Sequence, residues 1–106
     1  MIKGDIILVP FPFTDLTGNK IRPALVLICE PLDVTVAFIS TQSHWKEEAD
    51  IVLQPNNENG LKKESLIRLS KIATINNGLV FGRLGKLDTS SLNLVNKNLK
   101  ILLQLD

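Results

Sequence analysis

The chain has 106 residues, 44% hydrophobic and 22% charged, which suits one globular domain over residues 1–106 and argues against disorder. Twelve Lys and Arg against eleven Asp and Glu leave a formal net charge of +1, too little to hold a protein on nucleic acid by bulk charge alone. The single cysteine excludes an intrachain disulfide and a multi-cysteine metal site, and no apolar run reaches the ~20 residues of a membrane span. With nothing resembling a signal peptide at the start, the expected location is the cytoplasm.

In chain order, residues 5–10 are an Ile- and Val-rich run, the mark of a buried strand, and residues 11–13 extend it because the residue before a proline is pushed out of the α region. Residues 14–21 are polar, with Thr17-Gly18-Asn19 as the tip of a turn. Pro23 opens a second run over residues 24–29, closed by Pro31, and Cys29 within it is expected to be a buried structural thiol. Residues 34–39 form a third β-branched strand, 40–49 a polar loop, 50–53 a short strand and 55–60 a turn cluster. Residues 65–69 and 79–84 read as two further strands, and 72–75 read as either strand or connection. The period then changes: Leu92, Val95, Leu99 and Leu102 fall three and four apart, on one face of a helix that Asp88 or Thr89 can cap. About six short strands and one amphipathic helix make a mainly β protein, a small barrel or sandwich with the helix lying across it.

A Walker loop, a GxSxG elbow, an HExxH pair and a paired-carboxylate motif are all absent. One histidine cannot supply a two-histidine ribonuclease mechanism; His44 reads as a surface residue on which a nucleobase could stack. Chemistry therefore rests on Arg, Lys, Ser, Thr, Asp or Glu. Arg22 sits where the polar loop meets a buried strand, with Pro23 fixing the backbone after it; a guanidinium there is a phosphate ligand, or the partner of a carboxylate such as Asp15. Ser40-Thr41-Gln42-Ser43 place four hydrogen-bonding side chains at a strand end, which suits a phosphate or ribose and equally suits a hydroxyl-capped turn. Lys62, Lys63, Arg68, Lys71, Arg83 and Lys86, against the one acid Glu64, form a basic run that reads as a nucleic-acid face or as a solvated sheet surface.

Several segments, in this order and spacing, resemble the MazF/PemK toxins of type II toxin–antitoxin systems. They are Gly4-Asp5-Ile6-Ile7-Leu8-Val9, the loop over residues 14–20, Arg22-Pro23-Ala24-Leu25-Val26-Leu27, Ile39-Ser40-Thr41-Gln42-Ser43, Ser65-Leu66-Ile67-Arg68, the segment Ile72 to Ile75, and Leu84-Gly85-Lys86-Leu87 before the last helix. The resemblance implies an SH3-like barrel of the CcdB/MazF type with a C-terminal α-helix. It also implies a homodimer that cuts single-stranded mRNA at short sequences, with neither metal nor other cofactor. In that family the arginine before the proline and a threonine after the third strand serve catalysis. Arg22 matches the first; the second falls on Ser40, with Thr41 beside it, so either hydroxyl can carry the role.

The chemistry so implied is attack of a ribose 2′-OH on the adjacent phosphate, which needs alignment and charge stabilisation on phosphorus. Water and Asp15 are the candidates for the base. Thr17, Lys20, Gln42, Ser43, His44, Arg68 and Arg83 are the expected RNA-binding residues, and an acidic, partly disordered antitoxin is the expected protein partner. Two rival readings share the fold: a CcdB-like toxin that binds DNA gyrase without catalysis, and an inactive SH3-like binding module.

Overall fold

The computed structural model describes residues 1–11, 20–42, 44 and 46–105. Six strands, β1 (Asp5–Phe11), β2 (Lys20–Cys29), β3 (Asp33–Ser40), β4 (Ile51–Leu53), β5 (Ser65–Asn76) and β6 (Gly82–Lys86), precede one helix, α1 (Thr89–Leu102). All pairings are antiparallel and the sheet order is β4-β5-β3-β2-β1-β6. The result is a mainly β, curled half-barrel with a C-terminal helix, in keeping with the small barrel and final helix that the sequence leads one to expect.

The central strands bury both faces, which is why they read as continuous apolar runs rather than alternating ones. Ile6, Leu25, Leu27, Ala37, Ile39, Ile67 and Leu69 point into a first cluster closed by Val95 of α1. Ile7, Val9, Ala24, Val26, Val34, Val36 and Ile75 form a second cluster on the opposite face. Pro23 is tolerated inside β2 because the pairing with β3 starts only at Ala24, leaving Pro23 with β1 as its one neighbour.

Residues 65–69, read as a strand, and 72–75, read as strand or connection, belong to the single strand β5. Ala37 pairs with Ile72 while the next residue, Phe38, pairs with Arg68, so Leu69, Ser70 and Lys71 bulge out opposite a single step of β3. Three extra residues are an odd number and reverse the side-chain phase: Ile67 and Leu69 join the first cluster, Ala73 and Ile75 the second. The expected strand over 79–84 starts later, at Gly82. Residues 77–79 form a short 3₁₀ turn, and Leu79 and Val80 are apolar because they pack on the second cluster.

The curl closes through a turn. Asn59 is buried (2% exposed); its Oδ1 accepts the N–H groups of Asn56 and Leu61, and its Nδ2 donates to the Gln54 carbonyl. Lys86 N–H then donates to the Glu58 carbonyl at 2.9 Å, fastening the turn to β6. The approach is so close that a Cβ on Gly85 would collide with the Glu58 and Asn59 backbone.

Asp88, rather than Thr89, caps α1, accepting the Ser91 N–H at 2.7 Å. Leu92, Val95 and Leu99 pack on the first cluster as the spacing requires, whereas Leu102 is exposed, in a last turn that runs past the cluster. Cys29 is also exposed, contrary to expectation, because it ends β2 where the covered stretch has already stopped; Ile28 beside it is 50% exposed. Among the described residues no helix is long and apolar enough to cross a membrane.

Candidate functional site

The alternation of side chains along the strands builds a cleft on the face of the second cluster, beyond the point where that cluster ends. Val9 pairs with Arg22, Phe11 with Lys20, Ala24 with Phe38 and Phe38 with Arg68. These positions share the phase of Val9, Ala24 and Val36, so Phe11, Lys20, Arg22, Phe38 and Arg68 emerge on one face across four strands. Arg22, paired with β1, and Ser40, paired with β5, both line this cleft. The cleft encloses about 660 Å³, and Thr41, Gln42, Ser65 and Lys71 complete its walls.

Its floor is aromatic: Phe11 and Phe38 meet edge to face, centroids 5.1 Å apart and planes at 85°. Its rim is cationic. Among the described residues, none of Arg22, Lys20 and Lys71 is paired with a carboxylate. Arg68 is different: Nη2 lies 2.8 Å from Glu47 Oε1, and Nε lies 2.9 Å from Asp50 Oδ2, although at an angle too oblique for a good hydrogen bond. The hydrogen bond from Arg68, reinforced by the charges of Arg68 and Lys71, holds the Glu47 carboxyl below the ordinary carboxylate range. The bond to Glu47 and the nearby Asp50 raise the Arg68 guanidinium further, against its burial.

Ser40 ends β3, and its Oγ accepts the Gln42 N–H at 3.0 Å. That bond orients the hydroxyl and uses one of its two lone pairs, leaving its proton and the other pair for a ligand. Thr41 and Gln42 are exposed at the mouth.

The cleft thus gathers Arg22, Ser40, Thr41, Lys20, Gln42 and Arg68 from the residues singled out in the sequence. His44 is exposed and does not line it. Arg83 stands apart as well. It lies on β6, on the side of β1 away from β2, with its Nε 3.1 Å from the buried carboxylate of Asp5, which also accepts the Ile2 N–H. Thr17, Ser43, Asp15 and Trp45 lie outside the described residues. Of the basic run over residues 62–86, only Arg68 and Lys71 reach the cleft. Phe11, Phe38 and Ser65 escaped the sequence reading; the only signal for the two rings was period-two alternation with Val9 and Val36.

The arrangement can bind an extended anion. It offers cations for phosphates, hydroxyls for a phosphate or ribose oxygen and rings for stacking.

A family model described as PemK-like, MazF-like toxin of type II toxin–antitoxin system matches residues 2–103. The comparison with curated proteins finds no match. Among solved structures, the chain resembles an endoribonuclease from a mycobacterial species in complex with its cognate antitoxin, with TM-score 0.79 and 17% identity, covering 100% of this chain and 97% of that one. It also resembles the Mycobacterium tuberculosis toxin MazF-mt6, with TM-score 0.77 and 22% identity over 96% of this chain and 98% of that one. A further mycobacterial endoribonuclease gives TM-score 0.75 at 16% identity, over 98% and 91% of the two chains. Identities this low speak for the fold.

Proposed function

The chain belongs to the PemK-like, MazF-like toxins of type II toxin–antitoxin systems, and from that premise we propose that it is a metal-independent endoribonuclease cutting single-stranded mRNA at short sequences in the cytoplasm. The observation that carries this reading is Arg22, a cation without a described carboxylate partner, in the same cleft as the oriented hydroxyl of Ser40, with Lys20 and Lys71 on its rim. Two of the similar solved structures are endoribonucleases by description.

In this reading the ribose 2′-oxygen attacks the adjacent phosphorus. The O2′–P bond forms as the 2′-OH gives its proton to water, the P–O5′ bond breaks as O5′ takes up a proton, and the products are a 2′,3′-cyclic phosphate and a 5′-OH. Arg22 neutralises the charge that builds on the phosphoryl oxygens and donates toward the leaving oxygen. Ser40, with Thr41 beside it, holds a phosphoryl oxygen or the 2′-OH in line. Lys20, Gln42, Lys71 and Arg68 bind the flanking chain. The chain acts as a homodimer, and an acidic antitoxin silences it by covering the cleft; one similar toxin was solved with its antitoxin bound. The family match gives no support to a gyrase-binding or inactive module.

Incubation of the purified protein with a long RNA in EDTA tests the reading. Cleavage with cyclic-phosphate and 5′-OH ends supports it; an intact RNA contradicts it.

A further inference from the structure

The guanidinium of Arg68 is divided between two carboxylates of opposite character. Asp50 has a fully buried side chain and is fixed from the backbone, its oxygens accepting the N–H groups of Leu69 at 3.2 Å and Glu47 at 2.9 Å. Glu47, which meets the outer edge of the guanidinium at 2.8 Å, has a side chain 57% exposed. Its other contact is a long one, 3.4 Å from the Ser70 hydroxyl. Asp50 therefore sets where the guanidinium stands, and Glu47 can rotate into water at small cost, since exposed ion pairs hold weakly. No backbone motion is needed, because the Glu47 N–H stays on Asp50.

Arg68 lines the cleft; Glu47 does not. A phosphodiester carries the single charge and the paired oxygens of a carboxylate, and it binds a guanidinium edge in the same way. Resting on the reading of the chain as an RNA-cutting toxin, we propose that Arg68 is a second phosphate site of the cleft, that Glu47 fills it when no RNA is bound, and that an RNA phosphodiester displaces Glu47. Arg22 then grips the phosphate that reacts, and Arg68, on the far side of Phe38, grips another along the same strand. Glu47 acts as a built-in competitor that RNA must outbid.

The test is a double-mutant cycle on the affinity for a short 2′-O-methyl RNA, which cannot be cut because the attacking hydroxyl is blocked. Glu47→Gln is expected to tighten binding roughly two- to fivefold, the worth of an exposed ion pair. Arg68→Gln weakens binding, and in its background Glu47→Gln gains nothing. Arg68→Lys, which keeps a cation beside Asp50, serves as the second background in case Arg68→Gln folds poorly; there the gain shrinks. No gain from Glu47→Gln, or an equal gain in all backgrounds, overturns the proposal, the latter because it reports only a lost negative charge near a polyanion. Wild-type protein that neither binds this RNA nor cuts unmodified RNA defeats the functional reading itself. Cutting by the wild type together with an unresponsive Glu47→Gln defeats the Arg68 site alone.

Discussion

Oδ1 of Asp50 accepts the backbone N–H of Leu69 at 3.2 Å, inside the bulge that bends β5. The bulge strips that N–H of its place in the ladder, and a buried group left unpaired there is costly. The same carboxylate stands 2.9 Å from Arg68 Nε and accepts the Glu47 N–H. One acid thus seals the bend, places a cleft cation and ties down the segment that follows Ser40 and Thr41.

Asp50→Ala is therefore expected to destabilise the fold by about 3 kcal/mol, the low end for breaking a buried pair because Arg68 retains Glu47. The urea midpoint of the purified variant measures this. A loss under about 1 kcal/mol, within the range of exposed pairs, contradicts the assignment.

The two hydroxyls separate by cleavage rate. Ser40 is oriented by Gln42, whereas Thr41 is exposed and has no described hydrogen bond, so Ser40→Ala should lose more activity than Thr41→Ala, and Ser40→Thr should stay active. Single-turnover cleavage of one short RNA by each variant gives the ranking, with circular dichroism to show that the fold survives. The reverse order transfers the role to Thr41; no effect from either removes this loop from the chemistry.

Stability should fall in acid with a defined sign. The Asp88 carboxylate, held low by the Ser91 N–H, and Glu47, held low by Arg68, both have folded-state values below those of the unfolded chain. Their contribution is complete above the unfolded value of ~4 and is lost as pH falls through the lower folded values. Asp88→Asn keeps a capping oxygen but removes the titration. The difference in melting temperature between wild type and Asp88→Asn should thus shrink below pH ~4; a constant difference contradicts the assignment.

How much of this was legible beforehand depended on whether the signal was local. Strands β1 to β3 announced themselves through Ile and Val runs, and α1 through the spacing of Leu92, Val95 and Leu99. Arg22 and Ser40 stood out because each occupies a junction between loop and buried strand. The continuity of β5 was hidden, since the polar Ser70 and Lys71 interrupt the pattern at the bulge, and only pairing with β3 shows them to be one strand. That Arg83 stands beside Asp5, outside the cleft, shows only in the sheet order. Phe38 joined the site for the converse reason: its neighbours in the cleft come from other strands. Gly85 gave no hint that it lets a distant turn close the barrel.

Assembly provides a further prediction. The protein should be a homodimer at micromolar concentration by light scattering, and an acidic peptide from its antitoxin should release bound RNA. With Arg22, Lys20, Lys71 and Arg68 each meeting a phosphate, the slope of log affinity against log salt should be about −3, from ~0.7 per phosphate on a single strand. A monomer contradicts the first statement, RNA that stays bound beside the antitoxin the second, and a slope near zero the third.

The most direct test of the account is single-turnover cleavage of one RNA by wild type and Arg22→Ala. Arg22 is a cleft cation without a described carboxylate partner, in the same cleft as Ser40, and loss of such a group should slow cleavage by ~10²–10³. Arg22→Lys should recover little, because an ammonium cannot reproduce the planar fork. Wild-type cleavage rates in a folded Arg22→Ala protein would contradict the account.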